Sequence, residues 1–141
     1  MKFKSKEWLD ACVEKMDTDP THLKDASKLT VKWCNIVLDS PDGTDKFEAW
    51  DIKNGKCLNL RHEEKPAPSD FRTLPFDKKE FDYMCTATYE VLAKLHRGEL
   101  TAMQALRNPA YKIQGSRLKL LMLTKALGSW NEVQKAVPTE Y

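Results

Sequence analysis

The sequence predicts an α+β protein with a mostly antiparallel sheet of five strands, covered by helices on one side. Helix-type and strand-type patterns are segregated along the chain, which is typical of α+β proteins. The dipeptide Asn54-Gly55 lies between two strand-like segments and favours a tight hairpin. Residues 116–127 are apolar around most of a helical circumference, so they indicate a helix with apolar surface on more than one side.

The first part of the chain is predicted to form two helices and a three-stranded meander. Ser5 is a suitable N-cap for a helix whose apolar residues recur at helical spacing as far as Met16. A second short helix is expected after Asp19-Pro20, because proline is favoured in the first helical turn. Strands are expected at residues 29–38, 46–53 and 57–61.

A fourth strand and a longer helix are expected in the middle of the chain. Residues 63–69 form a polar, proline-bearing connection, and residues 70–76 can make the strand. Asp77 is a good N-cap with Glu80 three residues later, as in a capping box, so a helix is expected from there. Gly98 is expected to end that helix.

The last third of the chain is predicted to contain two helices and one short strand. Thr101 caps a short helix, and residues 111–114 have room for the fifth strand. The apolar helix at residues 116–127 follows, with one or two more ordinary helical turns after Gly128.

The apolar helix at residues 116–127 needs cover on its second side. A helix that packs on one face of a sheet requires an apolar stripe of only about 100°. The second side could be covered by more of this protein, by a partner, by a membrane or by an apolar ligand. The stretch from Lys94 to Lys125 carries seven basic residues and one acidic residue. A basic rim beside apolar surface could attract an anionic membrane, although a solvated helix face with ordinary lysines explains the same charges.

The composition indicates one globular domain at residues 1–141. A chain of 141 residues with 41% hydrophobic and 31% charged residues can bury a core without disulfide staples. The four cysteines, Cys12, Cys34, Cys57 and Cys85, form no Cys-x-x-Cys pair. No segment resembles a signal peptide or a membrane span, so we expect reduced cysteines in a cytoplasmic protein.

Catalytic and metal-binding patterns are lacking, so the sequence does not indicate an enzyme, a metal site or a cofactor. His22, His62 and His96 have no cysteine or carboxylate at metal-ligand spacing. No nucleophile elbow, phosphate loop or dinucleotide-binding fingerprint occurs. The basic residues are not interleaved with aromatic residues in a stacking pattern, which argues against nucleic acid as a partner.

The order of motifs resembles the sterol carrier protein family, in its stand-alone, single-domain branch. Residues 48–56, E-A-W-D-I-K-N-G-K, resemble the family's second strand, which carries tryptophan and closes with Asn-Gly. Residues 111–115, Y-K-I-Q-G, resemble its short strand before the C-terminal helix. The resemblance covers nearly the whole chain and implies a hydrophobic tunnel between the sheet and the helices.

Two departures from the family pattern affect what the resemblance implies. The family usually has Gly-Lys-Leu before its short strand, where this chain has Asn108-Pro109-Ala110, which could reshape the tunnel mouth. The chain ends Thr-Glu-Tyr, so it lacks the Ser-Lys-Leu-type peroxisomal address of some members.

The leading functional hypothesis is non-enzymatic binding or transfer of a lipid-like apolar molecule. Aromatic and methionine side chains on elements that should face one interior are candidates for the ligand walls, although periodic apolar residues are more often plain core. The expected ligand-binding residues are Trp33, Trp50, Tyr89, Met103, Leu106, Leu118, Leu121 and Met122.

Two alternatives remain open. The apolar helix could pack on a partner protein or on a second copy. The chain could also be an accessory component that presents an apolar substrate to separate enzymes.

Overall fold

A computed structural model describes residues Met1 to Tyr141. It contains six α-helices, one 3-10 helix and a five-stranded sheet, as the α+β prediction requires. The helices are α1 (Lys6–Thr18), α2 (Pro20–Asp25), α3 (Tyr89–His96), α4 (Ala102–Leu106), α5 (Arg117–Met122) and α6 (Thr124–Lys135), with the 3-10 helix at Asp70–Thr73. The strands are β1 (Val31–Leu38), β2 (Thr44–Lys53), β3 (Lys56–Pro66), β4 (Tyr83–Thr88) and β5 (Tyr111–Gly115).

The sheet has the order β3-β2-β1-β4-β5. Short connections join β1 to β2 and β2 to β3, and only antiparallel neighbours can be joined so tightly. Strand β4 runs parallel to β1, with Trp33 beside Tyr83 and Leu38 beside Thr88. Strand β5 then pairs antiparallel with β4. The sheet is therefore mixed and mostly antiparallel, and the predicted meander is confirmed.

The chain divides into two compact units that alternate along the sequence. The first, here called the helical unit, comprises Met1–Val31, Asp51–Asn59 and Ser116–Tyr141. The second, here called the sheet unit, comprises Lys32–Trp50 and Leu60–Gly115.

In the helical unit, α6 packs against α1 and α2. Trp8 of α1 is fully buried, and its indole N–H donates to Thr139 Oγ1 at 3.0 Å. Trp130 and Val133 are the buried residues of α6. The predicted cap of α1 is confirmed, since the Ser5 hydroxyl accepts from the Trp8 backbone N–H.

His22 joins three elements of the helical unit. Its Nε2 lies 2.9 Å from the Gly55 carbonyl oxygen and its Nδ1 lies 2.8 Å from Ser129 Oγ. Because a carbonyl only accepts, Nε2 carries a hydrogen and donates it to Gly55. Gly55 has φ of +83°, and a Cβ there would meet the Ala26 carbonyl oxygen at 2.8 Å. The predicted Asn-Gly turn therefore has no room for a side chain at its second residue.

One face of the sheet unit is covered by an irregular segment. The cluster on this face comprises Cys34, Ile36, Phe47, Ala49, Phe71 and Met84, with Leu38, Phe76 and Phe81 packed against it. Phe71 lies on the 3-10 helix, so the chain between β3 and β4 supplies the cover of this face. Burial raises the pKa of the Cys34 thiol in this cluster to about 12.

Asp45 ties this covering segment to β2. Its fully buried carboxylate accepts from Arg72 Nε at 2.8 Å, from Arg72 Nη2 at 3.0 Å and from the Ser69 backbone N–H at 2.9 Å. It also accepts from the Asp39 backbone N–H at 3.0 Å. Burial alone would raise the pKa of Asp45, but these hydrogen bonds hold it well below its usual range.

The predicted fourth strand and third helix are wrong in position. Residues 70–76 form the 3-10 helix and an extended connection, and residues after Asp77 form a turn instead of a helix. The strand is β4, and α3 begins only at Tyr89, where Thr88 caps it. Strand β4 is largely buried and lies between two neighbouring strands, so its apolar residues do not alternate with polar ones. Their spacing therefore resembles that of a helix.

Two further boundaries differ from the prediction. The apolar segment is two helices, since α5 ends at Met122 and Gly128 lies inside α6. At this break the Thr124 hydroxyl donates to the Leu121 carbonyl oxygen at 2.7 Å. This side-chain bond satisfies a carbonyl at the end of α5. Strand β3 also continues to Pro66, through residues expected to form a connection.

We expect Asp45→Asn to lower the free energy of unfolding at neutral pH by about 2 kcal/mol, because the charge that Arg72 faces is lost. The contribution of Asp45 is fully present above its unfolded-state pKa of about 4 and declines as the pH falls below that value, because the folded-state pKa is lower. The variant should therefore lose less stability than wild type on acidification. Urea unfolding at neutral and acidic pH measures both effects.

The matched control is Asp10→Asn, which removes an exposed partner of Lys6 and should change stability by less than about 0.5 kcal/mol. Equal stability of the two variants at neutral pH would show that Asp45 does not anchor the segment.

Candidate functional site

A hydrogen-bonded chain links two of the expected ligand-binding residues within the sheet unit. Trp33 and Asn35 are two residues apart on β1, and Glu48 and Trp50 are two residues apart on β2. The Trp33 indole N–H donates to Asn35 Oδ1 at 2.8 Å, and Asn35 Nδ2 donates to Glu48 Oε1 at 3.0 Å. The Trp50 indole N–H donates to the same Glu48 oxygen at 3.1 Å. Since strand side chains alternate between faces, each pair points to one side of its strand.

This polar chain, here called the Glu48 network, is fully buried at its Glu48 end. Glu48 is 0% exposed and Trp50 is 1% exposed. The bond to Asn35 orients the Trp33 indole ring, and the bond to Glu48 orients the Trp50 indole ring. The Trp33 ring also lies 5.1 Å from the Tyr83 ring, between centroids. With their N–H groups satisfied, the tryptophans offer carbon surface to whatever packs against them.

The Cys34 thiol and the Tyr83 and Tyr111 phenols of the sheet unit are held in their neutral forms. Burial, with the Cys85 thiol nearby, raises the pKa of Tyr111 well above its usual range. Burial raises the pKa of the Tyr83 phenol as well. Protonated thiols and phenols are weak nucleophiles, so these groups contribute packing and weak hydrogen bonding. No group of three His, Cys, Asp or Glu side chains is arranged to hold a metal ion.

The short helix α4 carries exposed apolar side chains in the sheet unit. Thr101 and Gln104 form the capping box that begins it, and the helix packs against β5. Ala105 is its one buried residue, whereas Met103 is 64% exposed and Leu106 is 55% exposed. The helix therefore presents two large apolar side chains that nothing in its own unit covers.

Helix α5 carries the most exposed apolar side chains of the helical unit. Leu118 is 71% exposed, Leu121 is 73% exposed and Met122 is 78% exposed. No residue of α5 is buried. At 100° per residue the three side chains fall within about 100° of the helix circumference, so they form one continuous face.

The structure places the expected ligand-binding residues in two classes. Trp33, Trp50 and Tyr89 are buried in the sheet unit, where Tyr89 is the first residue of α3. The other five are exposed on α4 and α5. Met103 and Met122, on elements expected to face one interior, are both mostly exposed, because short helices with few buried residues leave most of their surface to solvent.

Sequence reasoning missed the polar members of the Glu48 network. Asn35 and Glu48 are polar residues inside otherwise apolar strands, and period-two spacing aligns them with Trp33 and Trp50. That alternation was the available signal. The contact between Asn35 and Glu48 depends on the register in which β1 pairs with β2. The residue pattern does not distinguish that register from one shifted by a single residue.

No protein-family model matches the chain, and no curated protein matches its sequence. Solved structures do match its fold. A conserved hypothetical protein from Thermus thermophilus, described as possibly a sterol carrier protein, superposes with a TM-score of 0.75 at 18% identity. The match covers 99% of this chain and 92% of that one. The chain has the sterol carrier protein fold.

Two further structures have the same fold. A crystal structure of sterol carrier protein 2 gives a TM-score of 0.71 at 17% identity, covering 95% of this chain and 98% of that one. The sterol carrier protein domain 2 of Helicoverpa armigera gives 0.58 at 17% identity, covering 99% and 94%. The expected fold is confirmed over nearly the full length of the chain.

None of the helices combines the length and the hydropathy needed to cross a membrane.

We expect Glu48→Ala to lower the free energy of unfolding by about 3 kcal/mol, because the Asn35 and Trp50 donors lose their acceptor and a cavity remains. Glu48→Gln keeps an acceptor oxygen and should cost about half as much. Urea unfolding followed by tryptophan fluorescence measures both, since two reporter indoles belong to the network. The control is Glu63→Ala at an exposed position of β3, and a loss at Glu48 no larger than the control's would contradict the assignment.

Proposed function

We propose that the chain binds or transfers a lipid-like apolar molecule in a hydrophobic cavity, without catalysing a reaction on it. The observation that carries the proposal is the face of α5, where Leu118, Leu121 and Met122 are each more than 70% exposed. A folded chain rarely leaves such a cluster uncovered unless it meets another molecule there. Solved structures with this fold are described as sterol carrier proteins, which supports an apolar ligand.

Desolvation supplies the affinity in this proposal. Burying apolar surface contributes about 25 cal/mol per Å², so about 500 Å² contributes about 12 kcal/mol. After an association cost of about 4 kcal/mol, about 8 kcal/mol remains, which corresponds to micromolar binding. Methionine side chains such as Met103 and Met122 adapt to ligands of different shape. The fixed indoles of the Glu48 network would offer rigid carbon surface.

We further propose that residues 1–141 constitute one domain of the sterol carrier protein type. The ligand contacts proposed in the sheet unit are Trp33, Trp50 and Tyr89, with Met103 and Leu106 on α4. Those proposed in the helical unit are Leu118, Leu121 and Met122 on α5.

Interaction with another protein is the second candidate function, because an apolar helix face can equally be covered by a partner helix. In that case α5 would pack on a partner or a second copy, or the chain would present an apolar substrate to separate enzymes. Native mass spectrometry of protein purified without detergent distinguishes the candidates. A monomer with the added mass of one apolar molecule supports ligand binding. A ligand-free protein that also fails to bind a long-chain fluorescent probe overturns it.

We expect Leu121→Arg to abolish binding of a long-chain fluorescent probe while the protein stays folded, because a charge at the ligand surface is costly to desolvate. Probe titration measures the loss, and circular dichroism checks the fold. The matched control is Leu58→Arg, which places the same charge at a leucine that is 61% exposed on β3. The assignment of Leu121 as a ligand contact fails if both variants bind the probe equally, or if Leu121→Arg alone unfolds the protein.

A further inference from the structure

Basic residues border the apolar face of α5 on both sides. At 100° per residue, Arg117 lies next to Leu121 on one edge of the face, and Lys119 lies next to Met122 on the other. All of these side chains are exposed. An apolar face with Lys and Arg along its borders is the arrangement of helices that lie in the interface of a membrane.

The sequence that flanks this helix on both sides has no acidic residues. The chain has no Asp or Glu between Glu99 and Glu132, whereas it has five basic residues there: Arg107, Lys112, Arg117, Lys119 and Lys125. Lys125, near the start of α6, is 81% exposed and has one distant partner, Asp25, at 3.9 Å. The two charged residues that border the apolar face on α5 itself, Arg117 and Lys119, are therefore both positive, and so is the charge of the flanking sequence.

These charges select among the possible occupants of the face. A second copy of the chain would bring its own Arg117 and Lys119 against the same cations, so like charges would oppose pairing. Three apolar side chains also offer much less surface than the roughly 800 Å² that each partner buries in a stable dimer. An anionic lipid surface supplies both the opposite charge and an apolar layer.

We propose that α5 docks onto an anionic membrane surface. Leu118, Leu121 and Met122 enter the headgroup region, while Arg117, Lys119 and Lys125 contact lipid phosphates and other acidic headgroups. This inference goes beyond the proposed ligand binding and does not depend on it.

Vesicle sedimentation tests the docking. The probes are phosphatidylcholine vesicles, either pure or with about one third phosphatidylserine. The variant is Arg117→Gln with Lys119→Gln and Lys125→Gln, which removes three charges but none of the residues proposed to contact a ligand. The control is Lys28→Gln with Lys78→Gln and Lys79→Gln, which removes the same charge from exposed lysines elsewhere. Circular dichroism confirms that both variants fold.

We expect wild type to bind the phosphatidylserine vesicles at least about tenfold more tightly than the neutral ones, with the preference lost at high salt. The α5 variant should bind them at least about tenfold more weakly, and the control within about twofold of wild type. Docking is overturned if wild type binds neither vesicle, binds both equally, or is unaffected by the α5 substitutions. It is also overturned if light scattering shows a dimer that these substitutions do not alter.

Binding of the long-chain probe in vesicle-free solution is measured on the same proteins. The α5 charge variant should retain it. If the α5 charge variant loses vesicle binding but retains probe binding, the result bears on membrane docking and leaves the ligand-binding proposal untouched. If wild type binds vesicles but no probe, the ligand-binding proposal is contradicted and the docking proposal stands.

Discussion

The parallel pairing of β4 with β1 is the constraint on which the sheet unit depends. It places Trp33 beside Tyr83 and leaves β4 between two neighbours, so the strand is largely buried. A parallel connection cannot be a tight turn, and the chain between β3 and β4 is long enough to bring Phe71 and Phe81 over one face of the sheet. Arg72 and Asp45 then tie that segment to β2.

Buried polar side chains hold the elements in register where apolar packing alone would not. Asp45 and Glu48 lie three residues apart on β2 and are both fully buried. Asp45 accepts from the Ser69 backbone N–H of the covering segment. Glu48 accepts from the Trp50 indole and from the Asn35 amide. His22 has the corresponding role in the helical unit. A one-residue slip of β2 would break these bonds, so they specify one pairing as well as stabilise it.

The surface chemistry contrasts with this ordered interior. Helices α4 and α5 are short, bury little and expose large apolar side chains. Aliphatic and methionine side chains beside an all-basic stretch suit molecules that combine an apolar body with an anionic head. Ligand binding and membrane docking are both proposals about that chemistry, and the basic side chains that would contact headgroups are not among the residues proposed to contact a ligand.

Local signals were sufficient for part of this protein. The Ser5 and Thr101 caps, the Asn54-Gly55 turn and the meander follow from chemistry within a few residues, and the order of these motifs indicates the sterol carrier protein fold. The position of β4, the break at Leu123 and the exposure of Met103 and Met122 were decided by tertiary structure. The physical reason is that burial on both faces removes the alternation that marks a strand, whereas apolar spacing does not reveal whether anything covers a helix.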